Sequence, residues 1–420
     1  MHRTTRSTAL AAVALLALTG CTATGPSTDG VTEVTVWHYW DGTNAETFDK
    51  MIKEYNADHP DVKVTASNVP NADFLTKLRA SATSKTLPDI AIGDLIWVPQ
   101  IEQMGGLADL AGLLPKETLS DINPALTSFG TIGGTQVSVP VSANNLAYMY
   151  NKDVFAEAGL DPEKAPTTWE ELMSMGKTVL EKTGKPGYDL YTQAGDNGEG
   201  LTWNFQVNLW QAGGEFLTED NSAAAFNTPE GAKALQFWVD LIESGVSPYA
   251  KWGEFEKGQG GSAQEGSWMV GIWAADPPFD FGVAKAPYPA DGKPATNLGG
   301  EQAMVFDNSD AEAAAAADFL SWFLEPAQVT SWSEATGMLP VLGSVASSDD
   351  YLGWVDSTEP RLRPYVEQMA DAHARPNTPL YPQISLAFAK EIEAALAGES
   401  SVSDALNKAE DAVNAVIEKG

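Results

Sequence analysis

The sequence predicts an α/β layered architecture with a largely parallel sheet. Three observations predict it. The runs at 31–37, 61–67 and 87–92 have the apolar content and alternation of strands. Between them, Phe48, Met51, Ile52 and Tyr55, and then Phe74, Leu75 and Leu78, recur at helical spacing. Finally, 420 residues with 43% apolar and 20% charged content give ordinary globular composition, enough for two or three domain-sized cores.

Taken in order, the first helix ends before Pro60 and the second precedes Leu87-Pro88-Asp89-Ile90. Residues 136–150 then hold two apolar strands split by Ser142-Ala143-Asn144-Asn145. Helices dominate beyond them. Thr168 before Trp169-Glu170-Glu171 is a capping-box pattern. Thr228-Pro229-Glu230 opens a helix with Pro at its first position, and Gly245 closes it after the stripe Leu235, Trp238, Val239, Ile242. Further helices are expected at 311–323, 326–336, 361–370, 385–397 and 402–418. No internal repeat or long low-complexity linker separates the segments.

The amino terminus reads as an address. His2, Arg3 and Arg6 precede ten apolar residues at 9–18, long enough for a signal-peptide core and too short to span a bilayer. Leu18-Thr19-Gly20-Cys21 then resembles the lipobox of bacterial lipoproteins. That resemblance implies cleavage after residue 20, a diacylated, palmitate-bearing Cys21 and a flexible tether over 21–30. The alternative is a secretory signal that happens to contain a cysteine. Cys21 is the chain's only cysteine, so no disulfide forms within it. No later apolar run reaches 18 residues, so membrane attachment rests on the anchor alone.

Twenty-five basic against 57 acidic residues, a formal charge of −32, speak against nucleic acid. His2, His38, His59 and His373 show no metal-ligand spacing, and no His-Glu-x-x-His, Gly-x-Ser-x-Gly or phosphate-loop motif is present. No cofactor or metal is expected. A carboxylate pair for glycoside hydrolysis stays open, because spatial pairing is invisible in sequence. The 13 tryptophans point elsewhere. Trp169, Trp238, Trp322 and Trp332 fall in helical patterns and read as core. Trp37, Trp40, Trp203, Trp252, Trp268 and Trp273 lie near turn residues instead. There an indole face suits the C–H surface of a sugar ring, with neighbouring Asp, Glu and Asn accepting hydroxyl protons. The alternative for each is packing.

Several segments, in order, resemble extracellular solute-binding protein family 1, the carbohydrate-binding proteins of bacterial ABC importers that include maltose-binding protein. They are VTVWHYWDG (34–42), LPDIAIGDLIWVPQIEQMGGLADL (87–110), VSVPVSANNLAYMYNKDVFAEAGL (137–160), AAFNTPEGAKALQFWVDLIESG (224–245), EGSWMVGIW (265–273) and the tail from Ala374. The resemblance implies a two-lobe periplasmic-binding-protein-like fold of type II. Each lobe would be a mostly parallel sheet flanked by helices, with ligand in the cleft between them. The first lobe would hold 31–142 and 301–335, the second 143–300 and 336–420. Chain crossings would fall at Ser142–Asn145, Leu298–Gly300 and Gly337–Leu339.

The same resemblance implies the site. Trp40 and Asp41 line the cleft from the first strand-to-helix turn, and Trp273, at the end of Met269-Val270-Gly271-Ile272, stacks on sugar. Asp94 accepts hydroxyls, whereas Asp89 caps a turn. Asn144, Asn145 and Tyr148 offer polar contacts, as do Gly300 and Glu301 at the second crossing. Trp203 adds an aromatic face. Arg375 either grips ligand or braces its lobe, with bracing ahead. Trp268 replaces a residue that is often small in the family and so either narrows the pocket or replaces a contact, and His38 reads as structural. The expected protein is a monomer at the outer face of the membrane. It would bind a mono- to oligosaccharide between its lobes and hand it to a permease without chemistry. A polyamine or glycerophosphodiester on the same fold, or a lipid-anchored glycoside hydrolase, are the alternatives.

Overall fold

The computed structural model describes residues 30–420; the expected signal segment, Cys21 and nearly all of the tether lie outside the described residues. The first sheet has five strands in the order Val62–Asn68, Thr32–His38, Ile90–Asp94, Glu301–Val305, Val139–Pro140. Its first three are parallel, with Thr32 opposite Val62 and Val36 opposite Ile90. The helices Gly42–Asp58 and Asn71–Ser84 make the connections. They bury Phe48, Met51, Ile52, Tyr55, Phe74 and Leu78, picked out by helical spacing, while Leu75 of the same pattern is only half-buried. Full burial of Phe48 alone stabilises by about 1.5–3 kcal/mol. Asp89 is structural, as expected: its carboxylate accepts from Thr35 N at 2.8 Å and Asn308 Nδ2 at 2.8 Å.

Of the other two strands only Glu301–Val305 is reversed: it runs antiparallel to both its neighbours, Glu301 opposite Asp94 and Gln302 opposite Pro140, so that Val139–Pro140 points the same way as the first three. The second sheet departs from the parallel expectation altogether. Leu146–Asn151 lies between Ser262–Gly266 and Phe281–Ala284 and runs antiparallel to both. Parallel neighbours need a helical crossover back to the starting end. Here the long helical excursion between 152 and 261 re-enters from the far end. The central strand is buried at every residue, as a strand covered on both faces must be.

Capping signals in the sequence hold at atomic detail. Thr168 Oγ1 accepts from Glu171 N at 3.2 Å, while Glu171 reaches back to Thr167 N at 2.8 Å, opening the helix Trp169–Thr183. Thr228 Oγ1 caps Pro229–Glu243 by accepting from Gly231 N at 3.3 Å, without a reciprocal side chain. The helix expected at 361–370 is broken into Pro360–Leu362, Arg363–Gln368 and Met369–Asp371. Pro364 cannot donate to a preceding turn, so a new helix starts around it. The last long helices, Tyr381–Leu396 and Val402–Ile417, pack against each other and against Glu199–Ala212 and Pro229–Glu243. Among the described residues no helix is long and apolar enough to cross a membrane.

Three chain segments between the sheets run side by side. Ala143 and Leu339 exchange backbone hydrogen bonds at 3.2 and 2.7 Å, and Asn144 and Gly299 do so at 3.0 and 2.9 Å. Gly300 follows at φ +144°, where an added Cβ would run into Ser142 O. Only glycine adopts this backbone without strain.

Candidate functional site

A cavity of about 640 Å³ opens between the two sheets, beside these crossings. One wall begins where the strand Thr32–His38 turns into the helix Gly42–Asp58, the usual crevice at the carboxyl ends of parallel strands. Tyr39, Trp40, Asp41 and Asn44 reach the cavity from that turn, and Asn71 from the next. Trp40 is held by Trp332 at 4.6 Å and Phe48 at 5.0 Å between ring centroids. Asp41 is exposed and receives Asn68 Nδ2 at 3.1 Å.

The floor is formed by Asp94, Asn144, Gly300, Glu301 and Met338, all at or beside the crossings. Tyr39 donates to Glu301 Oε1 at 2.7 Å, and Ser142 Oγ donates to the other carboxylate oxygen. Burial pushes the Glu301 carboxyl up, and these two hydroxyls pull it back.

The opposite wall is aromatic. Trp203, on the helix Glu199–Ala212, stacks with Trp268 at 5.7 Å and 13° between planes. Tyr191 and Ile272 extend this surface. Arg375 lies behind Trp203, its guanidinium carbon 5.3 Å from the ring centroid. It donates to Asp94 Oδ1 at 2.8 Å and Glu199 Oε1 at 2.8 Å. Burial opposes its charge, but the two carboxylates outweigh that and hold its pKa above the ordinary value. Glu199 also accepts from Ser385 Oγ at 2.7 Å; burial raises its pKa against the opposing Arg375. Asn44 Oδ1, Asn144 Oδ1 and Trp203 Nε1 have no hydrogen-bond partner among the described residues. The cavity therefore offers flat apolar faces with uncommitted polar atoms between them.

Of the residues picked from sequence, Trp40, Asp41, Asp94, Asn144, Trp203, Trp268, Gly300, Glu301 and Arg375 line this cavity. Three do not. Asn145 is fully buried: its Nδ2 donates to Tyr365 O at 2.9 Å and its Oδ1 accepts from Gln368 at 2.6 Å, so its polar atoms are committed to packing. Tyr148 sits on the covered central strand, stacked on Tyr188 at 6.4 Å, and burial holds its hydroxyl well above the usual pKa. Trp273 is enclosed by Phe281 at 5.2 Å, Phe279 at 5.5 Å and Phe255 at 6.0 Å. Helix geometry explains this reversal. Trp268 and Ile272 are four apart on Trp268–Ile272 and share the cavity face, which turns the next residue into the core. Tyr39, Asn44, Asn71, Tyr191, Ile272 and Met338 were missed. Tyr39 and Asn44 flank a recognised turn and Met338 lies in a recognised crossing, but Tyr191 and Asn71 carry no signal. His38 is buried against Trp40 and Phe48, in keeping with its structural reading.

Among the described residues no group of three or more His, Cys, Asp or Glu could hold a metal ion. A family model for bacterial extracellular solute-binding proteins matches residues 50–357. The chain belongs to that family. As a solute-binding protein it has the periplasmic-binding-protein-like fold, the class anticipated above. It is 78% identical to the cyclic alpha-maltosyl-1,6-maltose binding protein from Arthrobacter globiformis, covering 93% of this chain and 100% of that one, with a TM-score of 0.86. It is 24% identical to the sn-glycerol-3-phosphate-binding periplasmic protein UgpB of Shigella dysenteriae serotype 1 (strain Sd197), over 93% of each chain. The fold is shared too with UgpB from Mycobacterium tuberculosis in complex with glycerophosphocholine, at 20% identity, TM-score 0.82 and coverage of 93% and 99%. The first two of these are named as binding proteins.

Proposed function

We propose that this solute-binding protein captures a neutral α-linked oligosaccharide, cyclic α-maltosyl-1,6-maltose foremost, and delivers it unchanged to an ABC permease. The observation that carries the reading is its 78% identity with the Arthrobacter globiformis protein over that protein's whole length. The cavity is in keeping with it. Trp40, Tyr191, Trp203 and Trp268 supply faces for sugar rings, and Asp41, Asp94, Asn144 and Glu301 supply acceptors for hydroxyls. The volume, about 640 Å³, falls within the range for small-molecule sites.

A glycerol phosphate or glycerophosphodiester is the second reading, prompted by the sn-glycerol-3-phosphate-binding relative and by the fold neighbour in complex with glycerophosphocholine. Charge counts against it. A phosphate would meet Asp41, Asp94 and Glu301, while the one guanidinium that the described residues bring to the wall, Arg375, already serves two carboxylates. Titration calorimetry with cyclic α-maltosyl-1,6-maltose, maltotetraose, glycerophosphocholine and spermidine tests the reading. The cyclic sugar should bind tightest and the phosphodiester not at all; the reverse ranking overturns it.

We take the lobes to be 31–142 with 301–335 and 143–300 with 336–420, closing about the three stitched crossings as ligand touches both. Closure requires that differential contact. The protein acts as a monomer, held at the outer face of the membrane through lipid on Cys21.

A further inference from the structure

Tyr191 reaches the ligand cavity from a short segment without regular secondary structure, a poor platform for a ring that must be held still. Its surroundings compensate. Trp252 stacks against it with ring centroids 3.8 Å apart and 29° between planes. On another side its ring edge abuts Gly200, where an added Cβ would lie 2.6 Å from the ring. The loop that carries Trp252 is tied to the Tyr191 segment on both flanks. Ala250 N donates to Thr192 Oγ1 at 2.9 Å; Gly253 N and Phe255 N donate to Asp189 Oδ2 at 2.9 and 3.0 Å. Asp189 N in turn donates to Ser262 O at 2.7 Å on the second sheet. Trp252 itself is not part of the cavity lining.

We infer that Trp252 is a positioning residue: stacked behind Tyr191 on a loop clamped by Asp189 and Thr192, it fixes the Tyr191 ring as one end of the aromatic wall. Its role rests on the oligosaccharide reading above, because a fixed ring favours a flat sugar face without ordering on binding. Gly200 belongs to the same device, since a side chain there would displace the ring.

A double-mutant cycle tests it, by calorimetry of the full mature chain with cyclic α-maltosyl-1,6-maltose. Trp252→Ala should weaken binding about three- to tenfold, in line with the loss of an aromatic pair. Trp252→Phe should restore affinity to within about twofold of the parent. In a Tyr191→Ala background, Trp252→Ala should have no further effect. A full effect that persists in that background overturns the inference, as does unchanged affinity in Trp252→Ala. Should the alanine variant not fold, Trp252→Leu keeps the bulk without the flat face and should still bind more weakly; parent-like affinity overturns the inference equally. If the parent binds no neutral sugar, the oligosaccharide reading fails and takes this inference with it. If the parent binds and the cycle is additive, only the positioning role fails.

Discussion

Arg375 lies 2.8 Å from Asp94 at the end of a first-sheet strand and 2.8 Å from Glu199 at the start of a helix that packs on the second sheet's side of the cleft. One buried cation thus joins both sides of the cleft close to the crossings. Asp94 is opposite Glu301 in the sheet, and Arg375 directly follows the strand Ala372–Ala374, which pairs with Thr296–Leu298 just before Gly299-Gly300. The side chain thus ties the two sides of the cleft together beside the crossings.

Replacing Arg375 by Met leaves Asp94 and Glu199 in poor solvent contact without their cation. A stability loss of about 3–5 kcal/mol is expected, the usual result of breaking a buried pair from one side. Arg375→Lys should fall in between, because a single ammonium cannot reproduce the two-sided fork. Urea unfolding followed by circular dichroism reads both; a Met variant as stable as the parent would refute the bracing role.

The two tryptophans of the Trp268–Trp273 segment should separate cleanly. Trp268→Ala should weaken oligosaccharide binding at least tenfold, about 1.4 kcal/mol, with little change in melting temperature. Trp273→Ala opens a hole among Phe255, Phe279 and Phe281 and should cost about 3–5 kcal/mol of stability, while the folded fraction keeps its affinity. Calorimetry and thermal melts on the pair decide it, and the opposite assignment of effects would count against the geometry.

That contrast also marks how far sequence reading reaches. Periodicity located Phe48, Tyr55 and Phe74 because burial imposes it locally, and the cap at Thr168 was legible because its partner is three residues away. Trp40, Asp94 and Glu301 could be placed because the segments around them resemble the family's, with Trp40 and Asp94 also falling at the ends of strands legible in sequence. Trp273 could not be told from Trp268, since both sit on one short turn of helix and only the packing of Phe279 and Phe281 decides which faces inward. Strand direction in the second sheet was hidden for the same reason: it depends on where a hundred-residue excursion returns, which no local pattern records.

Gly300→Ala probes the crossings. At φ +144° with Ser142 O in the way, a methyl group forces the backbone to shift, at an expected cost of about 1–3 kcal/mol. Because Gly300 O also accepts from Leu95 N at 3.2 Å, the shift reaches the Asp94 turn. Small-angle scattering with and without sugar should show reduced compaction on binding. Parent-like compaction and stability together would argue that the crossing tolerates a side chain.

Asp189 makes a pH prediction of defined sign. Burial raises its carboxyl from 3.8 to about 6, although the backbone amides of Phe255 and Gly253 pull it down. The folded chain therefore holds this proton more tightly than the unfolded chain. The resulting stabilisation is complete below about pH 4 and is lost as pH rises through about 6. Asp189→Asn has no proton to bind, yet its amide oxygen can still accept from the loop. Parent stability minus variant stability should accordingly fall by about 2 kcal/mol between pH 4 and 6.5 and stay flat above. Denaturant melts of both proteins across that range measure the difference directly. A difference that instead rises with pH would mean that the amides of residues 253 and 255 dominate over burial, and that the carboxylate is the preferred form in the folded loop.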